Sequence, residues 1–309
     1  MELYPSKVSF GRNETFGLRY SWLNKGLNEF KKKEDIFSSS SAPLILGVGK
    51  NMVNSIKYWL NAYQIIDFSG ARPSQTEFGE ILEAHDPYLE NSVSLWLLHW
   101  KLCTNVSNAT LYYWFFNCYK KNKFTKIEVL NDLSFWLDDI GSKKISSATL
   151  QRDTLLLLKT FSSSQEETKN FEEVLENPFY SLNLLSKNND GSYSSTYEPR
   201  ESISSSLIGF CILEIFNSTQ RQDLFEKVKK RTQMPVREFL NEQPSISRIF
   251  RINESFFYQL LDDLTNQYPD IFGFNETAGQ RIIELKDLEV DPNDFVRNLY
   301  KKNEIRKTS

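Results

Sequence analysis

The chain reads as a mainly α protein of multi-unit winged-helix or helix-turn-helix architecture with small β-hairpin wings. Three stretches predict this class. Residues 43–68, PLILGVGKNMVNSIKYWLNAYQIIDF, hold a helix start, a tight turn and an amphipathic second helix in succession. Residues 124–161 carry two helical patterns on either side of Gly141. Near the C-terminal end, a helical pattern over 254–267 is followed by FGFNETAGQRIIEL, residues 272–285, which alternates around Gly279 like a hairpin. Three units are expected from this reading: 1–75, 76–162 and 173–309.

In chain order, Trp22–Lys33 reads as a first helix with Leu23, Leu27 and Phe30 inward and lysines at its C-terminal end, where the helix dipole favours them. Pro43 suits the first turn of the next helix, and Ser41 upstream is placed to cap it. Gly47 and Gly49 around Val48 permit the backbone angles that end this short helix and begin another. From Lys50 onward Val53, Ile56, Leu60 and Tyr63 recur at helical spacing, with Met52 and Trp59 on the flank. The opposite face holds Lys50, Asn54, Lys57 and Asn61, with Asn51 and Ser55 beside them, and no carboxylate. Asn and Lys at the start of a second helix are suited to base edges and phosphates. A solvated amphipathic helix accounts for the same pattern without any ligand. The string GVGK is no phosphate-binding loop, because Leu44 stands where the first glycine is required and Asn51 where Ser or Thr should follow the lysine.

Ile65, Ile66 and Phe68 followed by SGARPS predict a short strand and turn, as in a wing, with Arg72 able to touch a backbone phosphate. Residues 76–118 are aromatic-rich and helical. There Asp86 or Asn91 is placed to cap a helix, and Leu95, Leu98 and Leu102 give it a core stripe. SSATLQRDTLLLLKTF, residues 146–161, buries Leu150, Leu157, Leu158 and Phe161 and exposes Gln151, Arg152 and Lys159, resembling a weaker second helix-turn-helix. Residues 162–173 are expected to be a linker, 187–206 a long loop, and 206–216 a helix.

At 309 residues, 14% of them aromatic, the chain can bury substantial cores, which argues against general disorder. No apolar run approaches the roughly 20 residues needed to cross a membrane, and no secretory signal is evident, so a cytosolic protein without a membrane partner is expected. Cys103, Cys118 and Cys211 lack metal-ligand spacing and are expected as buried, reduced thiols. With His85 and His99 as the only imidazoles, no dedicated zinc site is expected. The net charge of −3 is unevenly spread: residues 1–60 hold nine Lys or Arg against five Asp or Glu, a net of +4, leaving −7 for the rest. Positive potential therefore accompanies the helix that starts at Lys50.

Five motifs carry a family resemblance: FGRNETFGLRYSWLNKG from Phe10, LGVGKNMVNSIKYW from Leu46, DPYLENSVSLWLLHW from Asp86, and later RIFRINE and NETAGQRII. Over nearly the whole chain they resemble a bacterial family known as domain of unknown function 4007, with GVGKNMV the most specific part. Members are encoded beside sulfur-transfer proteins resembling phosphoadenosine phosphosulfate reductase. The family includes the B component of single-strand DNA phosphorothioation systems, regarded as a DNA nickase that opens a strand for sulfur insertion. The resemblance implies DNA modification and phage defence, with DNA, the sulfur-transfer proteins and an ATPase as partners. In the family's first motif a histidine usually stands where this chain has Asn13, while Arg12, Glu14, Thr15, Phe16 and Arg19 are retained. Any base or metal ligand supplied by that histidine in relatives has no counterpart here.

Nicking a phosphodiester usually calls for carboxylates holding a divalent cation, Mg2+ or Mn2+. No PD-x-[DE]-x-K or HNH pattern is present. Candidate catalytic and metal-binding groups are Glu14, flanked by Arg12 and Arg19, and Asp86 with Glu90, followed by His99. A structural ion-pair network, helix capping and core packing explain the same residues. Candidate DNA contacts are Arg12, Arg19, Lys50, Asn51, Asn54, Lys57 and Arg72. Two functions remain open. One is a metal-dependent DNA-nicking endonuclease of a phosphorothioation complex. The other is a non-catalytic winged-helix DNA-binding adaptor or transcriptional regulator that recruits sulfur-transfer partners.

Overall fold

The computed structural model describes residues 8–163, 176–223, 231–277 and 279–308. It is mainly helical with small, largely antiparallel sheets, and divides into two compact units, one up to Thr196 and the other from Tyr197 onward.

The first unit opens with α1, Tyr20–Lys32, which buries Trp22, Leu23, Leu27 and Phe30. The short α2, Ala42–Leu46, ends at Gly47 in the left-handed region (φ 62°), and the amide of Val48 donates to the carbonyl of Pro43 (3.0 Å), closing the helix. Ser41 precedes α2 but makes no side-chain cap. Its hydroxyl pairs instead with that of Ser39 at 2.8 Å. In α3, Lys50–Ala62, the buried stripe is wider than expected. Trp59 is fully buried rather than on the flank, and Ser55, expected on the polar side, is also fully buried. Strands β1, Ile66–Asp67, and β2, Ser74–Gln75, pair antiparallel around the turn that carries Arg72.

Helix α4, Glu77–His85, is capped by Thr76, whose hydroxyl accepts from the amide of Gly79 at 3.0 Å. Helix α5, Ser92–Thr104, is capped by Asn91 and is buried at every position from Val93 to Cys103, so the expected leucine stripe is part of a helix enclosed all round. Even Lys101 is buried, its ammonium 5.1 Å from the centre of the Phe78 ring. Helix α6, Thr110–Tyr113, continues into a π-helical turn at Trp114–Cys118. Next come β3, Lys123–Phe124, and α7, Lys126–Asp139, started by a capping box between Thr125 and Glu128. Gly141 leads to α8, Ser147–Phe161, capped by Ser146. The sheet is completed by β4, Ser162–Ser163, β5, Leu185–Lys187, and β6, Tyr193–Ser194, in the order β3-β6-β5-β4, with β4 and β5 parallel. The expected 187–206 loop is thus partly sheet. Most of the expected 162–173 linker lies outside the described residues.

The core of this unit is aromatic. Trp59 stacks on Tyr63 (5.4 Å), Tyr63 on Phe179 (5.6 Å), and Tyr112 meets both Trp59 (5.9 Å) and Phe161 (6.2 Å) edge-on. Through these rings segments 1–75 and 76–162 share one core.

The second unit holds α9, Ser205–Asp223, β7, Gln233–Pro235, α10, Val236–Asn241, α11, Ile246–Phe250, and α12, Glu254–Gln267. Asn253 caps α12, accepting from the amide of Phe256 at 2.9 Å. The hairpin of β8, Phe272–Thr277, and β9, Gln280–Leu285, follows, and α13, Pro292–Thr308, ends the chain. β9 lies between β7 and β8, all antiparallel. The hairpin and α12 have the bounds read from the sequence, whereas α9 runs beyond the expected residue 216. Cys103 and Cys211 are buried and Cys118 is half-buried, and none of the three is in a disulfide.

Candidate nucleic-acid interface

Residues 11–16 form a turn with three left-handed residues, Gly11 (φ 69°), Glu14 (φ 49°) and Thr15 (φ 70°). Such angles cost a non-glycine residue energy unless the surroundings fix them. Here the surroundings do so from two helices. The Gly11 amide donates to Asp153 Oδ2 of α8 at 2.6 Å. Asn13, 3% exposed, accepts from the Thr15 amide through Oδ1 (3.1 Å), and its side chain faces Asp153, favouring the ionised carboxylate. The Phe16 carbonyl accepts from Trp59 Nε1 (3.1 Å) and Ser55 Oγ (3.3 Å), both on α3. This bonding explains why Ser55 leaves the polar face: its hydroxyl is spent on the incoming turn.

The turn so held meets the polar side of α3, where Asn54 Nδ2 lies 3.4 Å from Glu14 Oε1. Lys50, Asn51 and Asn54 are exposed on that side, as is Arg12 on the turn and Arg72 on the β1–β2 hairpin. Lys57 is half-buried, and its ammonium sits over the Phe68 ring, 4.9 Å from the ring centre. Arg19 is engaged otherwise: it pairs with Glu176 at 2.7 Å and lies 5.5 Å from the Trp22 ring centre. The structure therefore brings Glu14 to α3, leaves Arg12 exposed on the same turn, and ties Arg19 into an ion pair.

Asp86 is buried, and its carboxylate accepts from the amides of Glu90 (2.8 Å) and Asn91 (2.9 Å) and from Ser94 Oγ (2.5 Å). It organises the entry to α5, while Glu90 itself is exposed. His99 is fully buried among Phe116 (4.6 Å), Phe161 (5.2 Å) and Trp96 (6.3 Å). Among the described residues no three His, Cys, Asp or Glu side chains gather as a metal-binding group.

The sequence reading did not single out Asp153. Burial raises its carboxyl above the usual carboxylate range, opposed by the Gly11 amide, Arg152 and Asn13. Tyr58 is pushed up by burial and then by the nearby Asp153. A signal was present: in TLQRDTLLLL, Asp153 falls three after Leu150 and four before Leu157, on the buried phase of α8.

The family model described as "Protein of unknown function (DUF4007)" matches residues 10–300. A crystal structure of SspB superposes with a TM-score of 0.82 at 24% identity, covering 97% of this chain and 90% of that one. A magnesium ion-bound crystal structure of SspB gives a TM-score of 0.81 at 25% identity, covering 95% and 88%. No curated protein matches. With the family match spanning nearly the whole sequence and the fold shared with SspB, the chain belongs to the DUF4007 family.

Proposed function

We propose that this chain is the DNA-binding component of a bacterial DNA phosphorothioation and phage-defence system, acting in the cytoplasm and nicking DNA so that sulfur can be inserted. The observation that carries the binding half is the polar face of α3: exposed Lys50, Asn51 and Asn54 and half-buried Lys57, with no carboxylate in the helix, bordered by the turn that holds Arg12 and followed by the hairpin that holds Arg72. Amides and ammonium groups at the start of such a helix suit base edges and phosphates. The order α1, α2, α3, hairpin supports a winged-helix reading, and the second unit repeats a helix–hairpin order at α12 to β9. The likeness to SspB supports membership of a multi-component system, with sulfur-transfer proteins and an ATPase as proposed partners.

Magnesium is usually held by one or two carboxylates together with substrate phosphates. Glu14 meets the α3 face, but the carboxylate nearest to its turn, Asp153, is buried and occupied by the Gly11 amide and Asn13. The described residues do not by themselves fit a divalent-metal centre. This lack of a gathered donor set favours a second reading, a non-catalytic adaptor or transcriptional regulator that brings sulfur-transfer partners to DNA. Incubating supercoiled plasmid with the protein and Mg2+ or Mn2+ separates the two. Nicking abolished by Glu14→Ala supports the nickase with Glu14 in its site. Nicking unaffected by Glu14→Ala removes Glu14, and binding without nicking leaves the adaptor.

A further inference from the structure

We infer that Asp153 is a positioning residue which, from α8, fixes the 11–16 turn against α3, so that the DNA-facing surface is composite and depends on a buried carboxylate that never touches DNA. The inference deepens the reading of α3 as the DNA-facing helix, and rests on it for the DNA arm alone.

The bonding pattern is specific. Asp153 faces two donors: the Gly11 amide at 2.6 Å and the side chain of Asn13. Because Asn13 Oδ1 is taken by the Thr15 amide at 3.1 Å, its Nδ2 must be the group turned to Asp153. Asn13 and Asp153 are both buried, at 3% and 4% exposure, so the Asn13 amide and the carboxylate it faces have no water as an alternative. The close fit extends to the main chain, since a Cβ on Gly11 would stand 3.0 Å from Thr149 Cγ2, one helical turn before Asp153. Two of the residues held this way, Glu14 and Thr15, have left-handed angles that a free turn would abandon. Released, the turn would no longer hold Glu14 at Asn54, and Arg12, two residues before Glu14, would move with it.

The same pattern supplies a test by exchange. Asp153→Asn removes the charge and one of the two acceptor oxygens and puts an NH2 in its place, so the two donors must share one neutral oxygen or one of them faces a donor. Asn13→Asp alone sets two buried carboxylates against each other. The double variant Asn13→Asp/Asp153→Asn restores the match, with the new amide accepting from Gly11 and donating to the new carboxylate, which still accepts from Thr15. Two measurements on the full chain read the outcome: the rate of trypsin cleavage after the exposed Arg12, and affinity for a duplex oligonucleotide by fluorescence anisotropy. Asp153→Asn should be cut about tenfold faster and bind about tenfold more weakly, and the double variant should return to within about twofold of wild type in both. Wild-type cleavage of Asp153→Asn, or a double variant no better than the single, overturns the inference. If the wild type does not bind the oligonucleotide, the α3 reading fails, while cleavage still decides the role of Asp153. Should Asp153→Asn not fold, the double variant decides: wild-type cleavage supports the inference, and an unfolded double overturns it.

Discussion

Residues 20–75 and 205–285 use one packing device and dress it with opposite charge. In the first region Gly26 of α1 lies so close to α3 that a methyl there would meet Ile56 Cγ2 at 2.6 Å and Leu60 Cδ1 at 2.8 Å. In the second, a methyl on Gly209 of α9 would meet Leu264 Cδ1 of α12 at 2.7 Å and Phe295 Cε1 at 2.9 Å. Each of these packed helices, α3 and α12, is followed by a hairpin, of two-residue strands in one case and six-residue strands in the other. Their outer faces part company. Helix α3 carries Lys50 and Lys57 and no acid, whereas α12 carries Glu254, Asp262 and Asp263, all exposed, and no Lys or Arg. The hairpin arginines, both exposed, differ as well: Arg281 lies 4.2 Å from the Tyr258 ring centre of α12 and 3.6 Å from Glu276, contacts that hold it to its own unit. A shared scaffold therefore does not assign a shared ligand; the side chains on its outer face do.

The largest expected effect tests that charge contrast. Lys50→Glu with Lys57→Glu should weaken duplex-DNA affinity by about a hundredfold or more and flatten the slope of log affinity against log salt by about two, one for each phosphate no longer neutralised. Asp262→Lys with Asp263→Lys should leave affinity at low salt within a few-fold. Salt titrations of both pairs would break the comparison if the two responded alike. Next in size, Gly26→Ala and Gly209→Ala should each cost roughly 1–3 kcal/mol by overpacking a helix crossing, read as a lowered urea midpoint. A neutral Gly209→Ala would show that the two crossings are not equivalent.

Smaller effects should separate the hairpins. Arg281→Ala should cost about 0.5–1 kcal/mol of stability, because no guanidinium then covers the Tyr258 ring, without changing DNA affinity. Arg72→Ala should do the reverse, weakening DNA binding and leaving the urea midpoint in place. The smallest effect concerns the aromatic core. The hydroxyls of Tyr63 and Tyr112 and the Oγ1 of Thr154 are buried without a hydrogen-bond partner among the described residues, an arrangement that costs stability. Tyr112→Phe should therefore change the unfolding free energy by no more than about 1 kcal/mol, towards greater stability, read as a slightly raised urea midpoint.

Local patterns were legible. The bounds of α12 and of its hairpin follow from apolar periodicity, an Asn cap at 253 and a turn at Gly279, all written within a few residues of where they act. Long-range partners were not. Ser55 shares the polar phase of α3 with Asn51, yet it is buried because the Phe16 carbonyl, 39 residues away, docks onto its hydroxyl. Arg19 sits in a basic motif, but Glu176 claims it. The leucines of α5 predicted a stripe, and only the surrounding aromatic rings enclosed the whole helix.

The sequence by itself determined a mainly helical chain, the carboxylate-free polar face of α3 and the family, because spacing, charge and motif are properties of neighbours along the chain. Tertiary structure alone decided that Gly11 and Asp153, 142 residues apart, share a hydrogen bond, and that this bond sets the turn carrying Arg12 and Glu14 against α3. Burial made the difference. A carboxylate taken out of water must find its donors in whatever main chain the fold brings to it, and no local pattern specifies which that will be.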